Sequence, residues 1–193
     1  MELGQDKMLG VAQRFGFNSV PGIDLPATAS KFPTQMDPAY LAQSSIGQYE
    51  VAATPLQMLM VASAIANNGV LMKPHVVKSV TGSDLKVLQT VQPEQAGRPI
   101  SEGAAKQLKQ MMENVVNDGT GSPAQVRGMT IGGKTGTAQS DPNRPPYAWF
   151  VGYASEPHVA VVAFVQSTSV ERNDISGGKV AAPVFKAVVE SLR

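Results

Sequence analysis

The sequence contains no cysteine and only two histidines. Without cysteine the chain has neither disulfide bonds nor thiolate metal sites, and its compartment is left open, because reducing and oxidising compartments both hold such proteins. His75 and His158 have no acidic residues or metal-ligand spacing around them, so they are interpreted as surface or strand-end residues. The sequence therefore predicts no metal ion and no cofactor.

An excess of charge of one sign and a long apolar run are also missing. The 16 basic residues nearly balance the 15 acidic ones, which excludes the strongly basic surface that nucleic acids and anionic membranes attract. The longest strongly apolar run, residues 159–165, is far shorter than the ~20 residues that span a bilayer. Residues 1–10 do not resemble a signal peptide. We expect no nucleic-acid partner, and membrane attachment only through an anchor upstream of residue 1.

Helix start signals divide the first two thirds of the chain. Asp37 and Thr54 are capping residues followed by proline, which is favoured at the first position of a helix. Ser101 caps a third, amphipathic segment. Four methionines at helical spacing are interpreted as core residues: Met58, Met60, Met111 and Met112. A further helix and a small hairpin are predicted within residues 8–15 and 70–91. Residues 1–128 are thus predicted to be a mainly helical and loop region.

Strand patterns dominate the last third of the chain, residues 129–193. Three strands are predicted, over residues 129–139, 147–154 and 159–167. The short link at 155–157 makes the last two antiparallel, and neither face of the middle strand is charged, which indicates burial between helix layers. A terminal helix is expected to supply one layer through Val184, Phe185, Val188 and Leu192. The predicted fold class is α+β, an antiparallel sheet sandwiched by helices.

One glycine-rich segment admits a phosphate-binding interpretation. Residues 128–135 satisfy the P-loop pattern G-x-x-x-x-G-K-[ST]. A P-loop requires an apolar strand before its first glycine and a helix that begins at the Gly-Lys pair, because the helix N-terminus holds the phosphates. Here residues 122–127 are not an apolar strand, and Gly136, Pro145 and Pro146 follow. The context rejects a nucleotide-binding loop.

The same residues contain a second motif, Lys134-Thr135-Gly136-Thr137. K-T-G accompanies S-x-x-K and S-D-N in penicillin-binding proteins and class A β-lactamases. A lysine and two hydroxyls on one strand can bind a carboxylate by charge-assisted hydrogen bonds, and the intervening glycine lets a substrate backbone approach closely. From the tetrapeptide alone, a glycine-rich strand with a surface lysine is the more frequent alternative.

Four longer segments distinguish these alternatives. They are Ser45-Ile46-Gly47-Gln48 with Thr54-Pro55-Leu56-Gln57 and Ala64-Ile65-Ala66-Asn67-Asn68-Gly69; Gly133-Lys134-Thr135-Gly136-Thr137-Ala138; Ala148-Trp149-Phe150-Val151-Gly152-Tyr153-Ala154; and Gly177-Gly178 with Ala181-Ala182-Pro183-Val184-Phe185. In order and spacing they resemble the class B penicillin-binding proteins over nearly all 193 residues. Within that class the chain looks closest to the actinobacterial penicillin-binding protein A group.

The resemblance implies a serine β-lactamase/transpeptidase-like fold and a D,D-transpeptidase that acts on the D-Ala-D-Ala end of peptidoglycan stem peptides, at the extracytoplasmic face of the cell membrane. The reaction passes through a serine acyl-enzyme that β-lactams also form. By this resemblance Lys134 contributes positive potential and a hydrogen bond, and the Thr135 and Thr137 hydroxyls bind the substrate or β-lactam carboxylate. The Thr137 N–H is one oxyanion-hole donor, and Gly136 keeps the strand edge clear.

The chain departs from the family pattern at the nucleophile. S-x-x-K occurs at Ser83 and Ser176, in places where the family has no nucleophile, and no S-x-N triplet occurs. We therefore expect no catalytic serine here and only the C-terminal part of the fold, inactive alone. The expected partner is the missing N-terminal half, whose first strand would pair with residues 159–167. The alternative is a non-catalytic module that binds peptidoglycan or another protein.

Overall fold

A computed structural model describes residues 3–139 and 143–192. Its α-helices are α1 (Gly4–Arg14), α2 (Pro38–Ser45), α3 (Pro55–Ala66), α4 (Glu102–Asp118) and α5 (Ala182–Ser191). Its strands are β1 (Leu71–Met72), β2 (Ser79–Thr81), β3 (Val87–Thr90), β4 (Gln95–Gly97), β5 (Ile131–Ala138), β6 (Tyr147–Ala154) and β7 (Val159–Val165). Short 3-10 turns lie at Ser122–Ala124 and Arg172–Asp174, and a π-helical turn at Gly177–Ala181 leads into α5. No helix within the described ranges is both long and apolar enough to cross a bilayer.

The predicted helix starts are confirmed by side-chain caps. At each of α2, α3 and α4, the residue before the helix accepts a hydrogen bond from a backbone N–H of the first turn, which satisfies a donor that the helix leaves unpaired. The bonds run from Tyr40 N to Asp37 Oδ1 (2.8 Å), from Gln57 N to Thr54 Oγ1 (3.1 Å) and from Ala104 N to Ser101 Oγ (3.2 Å). The hairpin predicted within residues 70–91 is also present, as β2 paired with β3.

The three predicted strands form one antiparallel sheet in the order β5-β6-β7. The bounds of β6 match the prediction, whereas β5 and β7 are shorter than predicted. Phe150 and Tyr153 project to opposite faces of β6, and both are buried. The uncharged central strand is therefore covered on both sides, as its sequence indicates.

Helices cover both faces of this sheet. On one face the Phe185 ring of α5 lies 4.7 Å from the Phe150 ring, centroid to centroid. On the other face Tyr153 packs with Ile65 of α3 and Met112 of α4. Burial of these large side chains stabilises the layers by about 1.5–3 kcal/mol each, and the predicted sandwich is confirmed.

Two assignments of helix faces are wrong in part. Met111 is 61% exposed, while Met112 is buried among core residues of α4. In α5 the buried side chains are Ala182, Phe185 and Val189, whereas three residues predicted on the apolar side are exposed: Val184, Val188 and Leu192. Successive residues on a helix differ by about 100° in direction, so apolar neighbours cannot all face the same core. The pairing of β1 with β4 was also outside the prediction.

Candidate active-site cleft

The motif Lys134-Thr135-Gly136-Thr137 lies on β5, the edge strand of the sheet. Residues 131–133, at the start of this strand, are buried, and the chain emerges into solvent at Lys134. Side chains alternate along a strand, so Thr135 and Thr137 project to the same side. Because β6 pairs with only one edge of β5, within the described ranges the other edge is open to a ligand.

A cleft of about 340 Å³ lies over the two threonines. The strand contributes Thr135 and Thr137 to its lining, and the other walls come from the segment after α4 and from the π-helical turn. The lining residues outside β5 are Gly119, Thr120, Ser122, Pro123, Ser176, Gly177, Gly178 and Lys179. A larger cavity of about 530 Å³ lies beside Val116 and Lys186 and shares Ser122 and Pro123 with the cleft, but it includes none of the motif residues. The smaller cleft is therefore the candidate site.

The Thr137 hydroxyl is held by the π-helical turn. The backbone N–H of Gly177 donates to Thr137 Oγ1 over 3.2 Å. A side chain at Gly177 has no room, because a Cβ there would lie 2.3 Å from the Trp149 carbonyl oxygen and 2.6 Å from that of Gly136. Since an amide N–H can only donate, the hydroxyl hydrogen of Thr137 is left for another acceptor.

The Thr135 hydroxyl has a partner in the segment that follows α4. Thr135 Oγ1 and Thr120 Oγ1 are 2.8 Å apart, and either can be the donor. Both KTGT hydroxyls are thus contacted by groups outside β5. The two contacts fix the side-chain positions on the open edge of the strand.

Lys134 supplies a positive charge on the same strand as the two hydroxyls. Its Nζ donates to the carbonyl oxygen of Thr135 over 2.7 Å, and the side chain is exposed. In the part of the chain that the structure describes, no carboxylate forms an ion pair with it. An exposed ammonium and two positioned hydroxyls on one strand are suited to binding an anion.

The structure brings one of the two S-x-x-K matches into the cleft. Ser176 Oγ accepts a hydrogen bond from the backbone N–H of Lys179 over 3.2 Å. The Lys179 ammonium itself lies 2.6 Å from Asp174 Oδ1, and that hydrogen bond and charge lower the pKa of Asp174. In this ion pair the ammonium is engaged by a carboxylate, so Lys179 is not placed as a base for Ser176.

The second match lies in the turn of the β2–β3 hairpin and contributes no residue to the cleft. Lys86 Nζ pairs with Asp84 Oδ2 over 2.9 Å, and both side chains are exposed. The hydrogen bond from Lys86 lowers the pKa of Asp84. In both matches, then, the lysine forms an ion pair with an aspartate.

Sequence reasoning missed several residues that complete the cleft. No sequence motif had placed Thr120 or Ser176 in the cleft. Gly177 and Gly178 had been used only as part of the family resemblance. Their nearness to β5 depends on how α4 and α5 pack on the sheet, which local patterns do not encode. Among residues 3–139 and 143–192, no group of three His, Asp or Glu side chains could hold a metal ion.

Residues 1–190 match the family described as "Transpeptidase: Penicillin binding protein transpeptidase domain". The chain belongs to this family of penicillin-binding transpeptidases. Among curated relatives, it is 38% identical over 195 residues to the peptidoglycan D,D-transpeptidase PbpA of Mycolicibacterium smegmatis, with 98% of this chain covered. It is 33% identical over 191 residues to stage V sporulation protein D of Bacillus subtilis, with 94% of this chain covered.

Solved structures agree with these relatives. The crystal structure of PBPA from Mycobacterium tuberculosis superposes with a TM-score of 0.86 at 33% identity, covering 100% of this chain and 47% of that one. The penicillin G acyl-enzyme complex of the same protein gives a TM-score of 0.87 at 34% identity, covering 100% and 44%. The predicted transpeptidase-like fold and the resemblance to penicillin-binding protein A are confirmed. The chain spans 39% of the length of the M. smegmatis relative and 29% of the B. subtilis one.

Proposed function

We propose that this chain forms one wall of the active site of a peptidoglycan D,D-transpeptidase that β-lactams acylate. The observation that carries the proposal is the open edge of β5, where the Thr135 and Thr137 hydroxyls are held in place on the strand that also carries the exposed Lys134. A peptide C-terminus and a β-lactam share a carboxylate next to the reacting carbonyl. Such a group fits a site built from two hydroxyl donors and a cation.

In the proposed reaction a serine hydroxyl attacks the carbonyl carbon of the penultimate D-alanine. The peptide bond breaks, the terminal D-alanine leaves with the proton on its amine, and an ester joins the peptide to the serine. The amine of a second stem peptide then displaces the serine. Lys134, Thr135 and Thr137 bind the carboxylate, and the Thr137 N–H donates to the oxyanion. Relatives described as acyl-enzyme complexes with imipenem and penicillin G support this chemistry.

We propose further that the nucleophile comes from a segment of the protein outside these 193 residues. The sequence has no S-x-N triplet, and the lysine of each S-x-x-K match is paired with an aspartate. The relatives are much longer than this chain. On this account the 193 residues contain no nucleophile and do not react with penicillin alone.

The exposed apolar surface supports a missing half as the partner of this chain. In the described part of the chain β7 pairs only with β6, so its other edge carries unpaired backbone groups. On α5, which packs against β7, Val184, Val188 and Leu192 are 47%, 39% and 49% exposed. Open strand edges and contiguous apolar side chains are normally covered by another part of the fold. An upstream half that also carries the membrane anchor would place the site at the extracytoplasmic face.

The proposal is tested on the full product of the gene, with the rate of acylation by a fluorescent penicillin as the measurement. Because each side chain donates to a carboxylate, Thr137→Val and Lys134→Met are each expected to slow acylation by about tenfold to a hundredfold. Matched substitutions on the β2–β3 hairpin, Thr90→Val and Lys78→Met, are expected to leave the rate unchanged.

The gene itself distinguishes the two candidate classes. An in-frame S-x-x-K followed by S-x-N upstream of residue 1 is the expected arrangement. A product without these motifs that forms no penicillin adduct but sediments with peptidoglycan would contradict the transpeptidase and favour the non-catalytic binding module.

A further inference from the structure

The contact between Thr120 and Thr135 joins two segments that meet only in the folded chain. Their hydroxyl oxygens are 2.8 Å apart, and both residues line the candidate cleft. Thr120 lies just after α4, outside the KTGT motif and outside every assignment made from the sequence. Its exposed side chain makes its only hydrogen bond in the described residues to this one threonine.

The direction of the Thr120–Thr135 hydrogen bond follows from the proposed function. A hydroxyl has one hydrogen to donate. When Thr135 gives that hydrogen to a bound carboxylate, its oxygen can only accept from Thr120. Hydrogen bonds in such a chain strengthen one another, because an oxygen that accepts becomes a better donor. Thr137 is arranged in the same way, since the N–H of Gly177 can only donate to it.

We propose that Thr120 is a positioning residue for the carboxylate of the substrate or β-lactam. Its hydroxyl donates to Thr135 Oγ1 and thereby directs the Thr135 hydrogen into the cleft. Thr120 acts through Thr135 and is not itself a catalytic residue. The inference rests on the proposed function, which it deepens by adding a third hydroxyl to carboxylate recognition.

Packing holds the Thr120 segment in place without a ligand. The N–H of Gly121 donates to the carbonyl oxygen of Val115 at the end of α4 over 2.9 Å. On its other side the segment touches the π-helical turn so closely that a Cβ on Gly178 would lie 2.4 Å from the Thr120 carbonyl oxygen. The segments that orient Thr135 and Thr137 therefore brace each other. A donor fixed in advance loses little free energy when the anion binds.

The test compares two ligands on the full product of the gene: a penicillin and its methyl ester, which lacks the anionic carboxylate. Thr120→Val keeps the shape of the side chain and removes the donor, whereas Thr120→Ser keeps the donor. We expect Thr120→Val to lower the acylation rate constant for the penicillin by about fivefold to tenfold, the loss typical of one hydrogen bond between neutral groups. The rate constant for the ester should change by less than about twofold, and Thr120→Ser should stay within about threefold of the wild type.

The comparison separates this inference from a structural role and from the proposed function. Three results would overturn the inference while the proposed function stands. They are an equal decrease in the acylation rate constants of the penicillin and its ester, no decrease in Thr120→Val, and a Thr120→Ser variant that is acylated as slowly as Thr120→Val. A wild-type product that does not react with penicillin would overturn both. The thermal unfolding midpoints of the variants, measured in parallel, are expected to match that of the wild type.

Discussion

The backbone N–H of Gly177 donates a hydrogen bond to Thr137 Oγ1 over 3.2 Å, and this contact ties the turn before α5 to the KTGT strand. The contact requires close approach of two backbone segments. Gly177 sits so near the Trp149 and Gly136 carbonyl oxygens that no side chain fits between them. A glycine outside the KTGT motif therefore controls the geometry of a motif hydroxyl.

Gly177→Ala is expected to disturb this contact directly. The added methyl group must displace the turn from β5, which costs about 1–3 kcal/mol of folding free energy. Loss of the oriented hydroxyl should slow penicillin acylation of the full product by roughly tenfold. Thermal unfolding and the acylation rate are the two measurements.

The matched control is Gly103→Ala in the first turn of α4, where a Cβ meets no atom within 4 Å. Alanine is favoured over glycine in a helix by up to about 1 kcal/mol, so this variant should be as stable as the wild type or slightly more so. A Gly177→Ala variant that behaves like Gly103→Ala would contradict the close packing described for the turn.

Asp24 provides a prediction on pH. Its carboxylate oxygens each accept a backbone N–H over 3.0 Å, from Val76 and from Val77. The pKa of Asp24 is held below its ordinary value of 3.8, mainly by the hydrogen bond from Val76. The hydrogen bond from Val77 and the charge of the nearby His75 make smaller contributions. Because the pKa is lower in the folded state, the ionised Asp24 carboxylate stabilises the fold above about pH 3.8. This stabilisation is lost as the pH falls through the lowered pKa of the folded state.

Amide hydrogen exchange measures this effect locally. The exchange rates are first corrected for the intrinsic pH dependence of exchange. In the wild type, protection of the Val76 and Val77 amides against exchange should then decrease as the pH is lowered below 3.8. In Asp24→Asn the same protection should be weaker at neutral pH and independent of pH. The Val91 amide, which donates to the Lys78 carbonyl oxygen, is the internal control. Equal pH dependence at Val91 and Val76 would contradict a role for Asp24.

The isolated 193-residue chain is expected to self-associate, because the free edge of β7 and the apolar side chains of α5 lie open in the described residues. Size-exclusion chromatography with light scattering measures this directly. Val184→Lys and Val188→Lys, on the exposed side of α5, should reduce association, whereas Lys106→Gln on α4 should not change it. A soluble monomer that unfolds cooperatively would contradict the open-edge account.

Local signals in the sequence predicted much of this fold. Asp37, Thr54 and Ser101 each cap a helix with their own side chain, and this depends only on residues three positions away. The bounds of β6 follow from its uncharged alternation. Met111 was wrongly assigned to the core together with Met112, because two adjacent apolar residues on α4 differ only in which neighbour they meet. For the same reason the sequence did not predict that Val184 and Val188 of α5 are exposed.

The candidate site was predicted only along β5. The KTGT residues form a contiguous motif, so their types and spacing are visible in the sequence, and their roles stay predictions. Thr120 and Gly177 reach the motif through tertiary packing, with 15 and 40 positions separating them from their threonine partners. Neither residue type is unusual where it stands, so no local pattern marks it. Only the fold brings their donors to the two hydroxyls.

The central claim is that these residues bind the carboxylate while a serine elsewhere in the protein is acylated. Mass-spectrometric mapping of the penicillin adduct on the full gene product tests it most directly. The account predicts an adduct on one serine upstream of residue 1 and none on peptides from residues 1–193. An adduct on Ser176, on Ser83 or on any other residue of this chain would contradict it.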